Sequence, residues 1–102
     1  MIPSHKQFIE AIHAKYKVCV RFYSTADNGV VDRVCAPLDY GTGKAEDGMN
    51  RYWVWDYASN AETHVLGLVP QQIMDLRVLG EVFDPASLDA GFSKWSEPRD
   101  WG

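Results

Sequence analysis

The 102-residue sequence predicts a mainly β fold, a small five-stranded antiparallel barrel with one α-helix at its N-terminus. Three observations carry this expectation. Apolar residues recur at helical spacing only as far as Tyr16; apolar and polar residues then alternate in several short runs; and turns rich in Gly, Asn, Asp and Pro divide those runs.

The helix is expected over residues 5–15. Ser4 followed by Gln7 has capping-box spacing, and Phe8, Ile9, Ile12 and Tyr16 form its apolar stripe. "KVCVRFY" is the first strand, with Val18, Val20 and Phe22 on one face and Lys17, Cys19, Arg21 and Tyr23 on the other. "STADNG" supplies a turn, because Asp, Asn and Gly tolerate the positive φ of tight hairpins. "VVDRVCA" returns as the second strand and ends near Pro37, before the glycine-rich loop "YGTGKAEDGMN". "RYWVWDYA" is the third strand, "SNAE" a turn and "THVLGLV" the fourth strand. Pro70 stops that ladder and starts one helical turn, after which "IMDLRVLGEVF" carries the fifth strand. "ASLDAGF" allows another helical turn, and "SKWSEPRDW" is a polar tail with two tryptophans. An open meander would leave two flat edges, an aggregation hazard, so closure into an SH3-like or Sm-like barrel capped by the helix is expected.

Length allows one domain, with the barrel over 1–85 and the Trp-containing tail over 86–102. Hydrophobic content of 46% supports a core without disulfide staples. No run approaches the ~20 apolar residues that cross a bilayer, and the N-terminus lacks a basic segment before an apolar stretch. No membrane association and a cytoplasmic location are therefore expected. Cys19 and Cys35 lack metal or redox spacing and read as reduced thiols. His5, His13 and His64 are scattered, so neither a metal nor a cofactor nor catalysis is expected. Net charge is −4, with residues 1–33 at +2 and residues 34–102 at −6. Without clustered Lys and Arg, only a local patch could hold nucleic acid.

The ordered segments "KVCVRFY", "DRVCAP", "RYWVWDY", "GLVPQQIMDLRVL" and "EVFDP" resemble the WYL domain, a small Sm-like barrel of bacterial regulators. Tyr23 matches the family's first-strand tyrosine, Arg33 and Pro37 its Arg-x-x-x-Pro element, Tyr52 the centre of the naming triplet, and Ile73 the closing isoleucine. The likeness covers residues 5–85 and departs from the family pattern at Arg51 and Trp53, which replace the triplet's Trp and Leu. The fourth-strand segment "VLGLVPQQI" also lacks the family's arginines. The resemblance implies binding of nucleic acid or a nucleotide-like effector, with Arg33 and Tyr52 carried over as ligand contacts; Tyr23 and Trp53 are further candidates, and Arg21 and Arg51 are candidates to extend the same basic patch.

Strand alternation sends Tyr52, Val54 and Asp56 to one face and Arg51, Trp53, Trp55 and Tyr57 to the other. Burying a Trp gives about 2–3 kcal/mol and stacking a base about 1–3 kcal/mol, so exposure decides between core and platform. Adjacent uncovered rings exceed what a monomer tolerates; the rings are expected to be core covered by the tail or a subunit, with a ligand-facing Tyr52, Trp53 or Trp55 as the alternative. Arg33 has two readings as well: a surface ion pair with Asp32, or a guanidinium open to phosphate, carboxylate or a base edge. The expected function is a non-catalytic ligand- or nucleic-acid-sensing regulatory module that passes its signal to a protein partner. The alternative is a protein-interaction or self-assembly module, such as a homodimer, in which the aromatic strand and tail meet a neighbour.

Overall fold

A computed structural model describes residues 1–43, 47–59, 64–88 and 95–101. The chain runs as α1 (His5–Ala14), β1 (Tyr16–Ser24), β2 (Gly29–Gly41), β3 (Arg51–Asp56), β4 (Val65–Leu68) and β5 (Ile73–Val82). Pro70–Gln72 and Pro85–Ser87 are 3₁₀ turns. The five strands form one antiparallel sheet in the order β4-β3-β2-β1-β5. The expected barrel closure does not occur through hydrogen bonds: β4 and β5 are the two edges of the sheet. Pro70 has no N–H to donate, so β4 stops after four residues and the following turn carries the chain across the gap.

β2 differs most from expectation. It continues through Pro37 to Gly41, thirteen residues in all. Its first half pairs with β1 from Gly29 to Cys35 and its second half with β3 from Cys35 to Gly41, with a register shift between Pro37 and Asp39. The irregularity accommodates the missing donor of Pro37 and bends the strand. β2 is therefore shared by two parts of the sheet, pairing with β1 up to Cys35 and with β3 from Cys35 on, and the buried faces of both line the core.

Alternation then works as read. Val18, Val20 and Phe22 of β1 are buried, as are Tyr52, Val54 and Asp56 of β3. α1 buries Phe8, Ala11 and Ile12 against them, while Tyr16 belongs to β1 and is exposed. Ser4 is the N-cap but its side chain makes no capping hydrogen bond. Lys15 ends the helix in the left-handed conformation (φ 62°), and Asn28 takes the positive φ (54°) of the β1–β2 turn. None of the helices among the described residues is long and apolar enough to cross a membrane. Residues 89–92 of "ASLDAGF" and 60–62 of "SNAE" lie outside the described residues.

The described part of the tail lies across α1 and the second half of β2. Asp39 is almost fully buried and accepts hydrogen bonds from the backbone N–H of Ser96 (2.9 Å) and Glu97 (2.8 Å) and from Arg99 Nη2 (3.1 Å). The Arg99 guanidinium also donates to the Leu38 carbonyl and lies 4.1 Å from the Trp95 ring centre and 4.8 Å from that of Trp101. Trp101 donates its indole N–H to the Ile12 carbonyl at 2.7 Å. Burial draws the Arg99 pKa down while Asp39 opposes it, so the charge depends on its partner. Replacing Asp39 by Asn is expected to leave the buried Arg99 cation unpaired, at a cost of about 3–5 kcal/mol. Denaturant unfolding measures the loss, and limited proteolysis should then cut within residues 95–101.

Candidate functional site

The inner face changes character from one end of β3 to the other. At the Tyr52 end it is closed. The Tyr52 ring is fully buried, packed edge-on against Phe8 (5.0 Å between centres) and tilted against Tyr40 (4.7 Å). Its hydroxyl accepts the Ile2 amide N–H at 3.1 Å and sits 2.8 Å from His5 Nδ1. At the Asp56 end the hollow opens as a cleft of about 350 Å³. Phe22, Val65 and Leu66 form its apolar wall, and Ser24, Asp27, Arg33, Asp56 and Ser59 its polar side.

Arg33 is in this cleft because of register. It lies opposite the buried Val20, and residues directly across a ladder share a face. Two positions further on, Cys35 pairs with Asp56 of β3, bringing that carboxylate to the same inner face. Arg33 Nη1 donates to Asp56 Oδ2 at 3.2 Å and Nη2 to Asp27 Oδ2 at 3.0 Å. The two carboxylates differ in exposure: the Asp56 side chain is 4% exposed and that of Asp27 is 49%. Asp56 is also held by the Ala58 N–H at 2.9 Å, and Asp27 accepts the Ser24 hydroxyl at 2.8 Å. Beside the cleft, His64 lies 2.7 Å through Nδ1 from the Asp56 carbonyl and stacks on Trp55, 4.7 Å between centres and 16° between planes.

The other residues singled out from sequence lie elsewhere. Arg21 is on the opposite face of the sheet, where it makes the two-pronged pair with Asp32 at 2.9 and 3.2 Å. Asp32 thus partners Arg21 and not Arg33, since adjacent strand residues face opposite ways. Arg51 is at the far end of β3, clamped to Asp47 at 2.8 and 2.9 Å; those bonds hold the Asp47 carboxyl well below its usual range. Tyr23 is 39% exposed on the outer face, its hydroxyl donating to Asn28 at 3.2 Å. Trp53 is half-buried, donates its indole N–H to the Gly41 carbonyl at 2.9 Å and covers Gly43 and Gly67, where a Cβ would meet its ring at 2.5 and 2.6 Å. The described tail has its contacts on α1, β2 and Phe83. Both cysteines are free thiols; burial, reinforced by Asp56, pushes the Cys35 thiol far above its ordinary value. Sequence reasoning missed Asp27 and the pairing role of Asp56, although the parity of Asp56 with Tyr52 and Val54 had already turned a carboxylate inward.

No protein-family model matches the sequence, and no curated protein matches it. A solved structure does: the proteasome accessory factor B/C (PafBC) of Arthrobacter aurescens superposes on 97% of this chain with a TM-score of 0.60 at 15% identity. The chain spans 14% of the length of that protein. At such identity the likeness is one of fold.

Tyr52→Phe should cost about 1–3 kcal/mol, because it leaves the Ile2 N–H buried without an acceptor. Burial raises the Tyr52 pKa, so the neutral hydroxyl is favoured in the folded state. That contribution is complete below the ordinary tyrosine pKa of about 10 and is lost as pH climbs through the raised value. Denaturant titrations at increasing pH should show an alkaline loss of stability that is smaller in the Phe variant.

Proposed function

We propose that the chain is a non-catalytic regulatory module of WYL type, sensing a small anionic ligand in the cleft around Arg33. The observation that carries this reading is the state of the guanidinium. Arg33 is anchored from within by the buried Asp56, while its outer prong is held by the half-exposed Asp27. A phosphate or carboxylate group of a ligand would take the place of the Asp27 carboxylate, keeping Asp56 as the orienting partner. The cleft volume falls at the lower end of small-ligand sites, about 300–1,000 Å³, and its apolar wall suits the flat face of a base or similar ring. The fold likeness to part of PafBC and the matched Tyr23, Arg33, Pro37, Tyr52 and Ile73 support a regulatory role.

A compact ligand is favoured over a long nucleic-acid strand. Arg21, Arg51 and Arg77 each have a carboxylate partner, and the net charge of −4 repels a polyanion. The signal would pass by contact to another protein. The described part of the tail, through Arg99 and Trp101, packs on this chain's own α1 and β2.

Calorimetric titration with a nucleoside monophosphate, and in parallel with inorganic phosphate, tests the reading. Binding should weaken with added salt, fall at least about tenfold in Arg33→Ala, the equivalent of ~1.4 kcal/mol, and strengthen in Asp27→Asn. Affinity unchanged by both substitutions would sink the proposal. Because Arg33→Ala leaves Asp56 unpaired, Arg33→Lys serves as the second variant, with retained fold checked by circular dichroism.

A further inference from the structure

The two edges of the sheet are unequal. β4 is four residues long, partly buried and stopped by Pro70, which blunts it. β5 is ten residues long, contains no proline or lysine, and has only Leu76 buried. Met74, Val78 and Val82 are exposed at 54%, 40% and 61%. Among the described residues, β5 pairs on one side with β1 and stands at the end of the sheet on the other. Such an edge presents a row of backbone donors and acceptors to another strand.

The sequence of this edge is self-complementary. Around Leu76, the segment Ile73-Met74-Asp75-Leu76-Arg77-Val78-Leu79 reads with matching character in both directions. In an antiparallel pairing with the two-fold axis at Leu76, Asp75 faces Arg77 of the second copy and Arg77 faces its Asp75. Met74 then faces Val78, and Ile73 faces Leu79. Cross-strand pairs of opposite charge and of apolar residues both favour such a ladder. Asp75 and Arg77 are open to solvent for it: their side chains are 55% and 66% exposed, they approach each other only to 3.6 Å, and Arg77 otherwise makes one 3.6 Å contact to Cys19 Sγ. The regular stretch of the β1–β5 ladder, Asp75–Val78, lies at the centre of the arrangement, with a bulge at Met74. A shallow groove of about 100 Å³ between Ile2–Ser4 and Ile73–Leu76 flanks the N-terminal half of this edge.

We infer that β5 is a homodimerisation edge, on which a second copy of this chain adds its own β5 antiparallel, in the register fixed by reciprocal Asp75–Arg77 pairs. The two-fold symmetry makes the contact isologous, so it closes at two copies and does not propagate. This surface is separate from the Arg33 cleft, and either can fail without the other.

Charge reversal tests the register. The wild-type chain should sediment as a dimer that dissociates on dilution. Asp75→Arg alone sets Arg against Arg, and Arg77→Asp alone sets Asp against Asp; each should be monomeric. An equimolar mixture of these two variants should regain the dimer, because each then supplies the charge the other needs, and the double variant D75R/R77D should dimerise by itself. A wild-type chain that stays monomeric at all concentrations would overturn the inference. So would single variants that remain dimeric, or a mixture that remains monomeric. Far-UV circular dichroism of each single variant confirms that the exposed substitutions leave the fold intact.

Discussion

The change of partner along β2 at Cys35 is the constraint on which the molecule depends. A flat five-strand sheet would leave its apolar face open, whereas a strand that pairs with β1 and then with β3 folds that face onto itself. The same junction fixes the cleft. Arg33 lies two residues before it on the inner face, and Asp56 pairs directly across from it. A slip of one residue on either side would turn the guanidinium or the carboxylate outward. The site is therefore a product of register, and its members come together without being close in sequence.

The two ends of the hollow are finished by different means. At the closed end the helix, Tyr52 and Tyr40 make an aromatic cluster in which the buried Tyr52 hydroxyl is engaged by Ile2 and His5. The buried Asp39–Arg99 pair at the tail follows the same rule that a charge removed from water needs a well-made partner. At the open end, Arg33 has one partner in the interior and one near solvent. The inner partner would hold the guanidinium in place even if the outer one let go.

The elements were legible wherever local periodicity decided them. The helix, the β1 alternation, the Asn28 turn and the two-faced β3 follow from spacing and turn chemistry, and Tyr52 falls on the buried face that this parity assigns. The extent of β2 was not legible, because Pro37 reads locally as a stop and only the change of partner makes room for it. The basic patch expected of Arg21, Arg33 and Arg51 does not form. Strand parity separates Arg21 from Arg33, and Arg51 lies at the opposite end of β3 with its own aspartate. The tail was expected over the β3 rings, yet the described residues lie on α1 and β2, where a buried carboxylate supplies three acceptor contacts. Such long-range electrostatic matches have no signature in sequence spacing.

Cys35 sits at the point where β2 changes partner, fully shielded, with a thiol that resists ionisation. Only a thiolate reacts readily with alkylating reagents, so this sulfur is silent while the core stays shut. Cys19, partly open on the outer face, provides an internal reference. The ratio of labelling at the two sulfurs thus reports how often the core opens where β2 passes from β1 to β3, a built-in gauge of breathing at that junction.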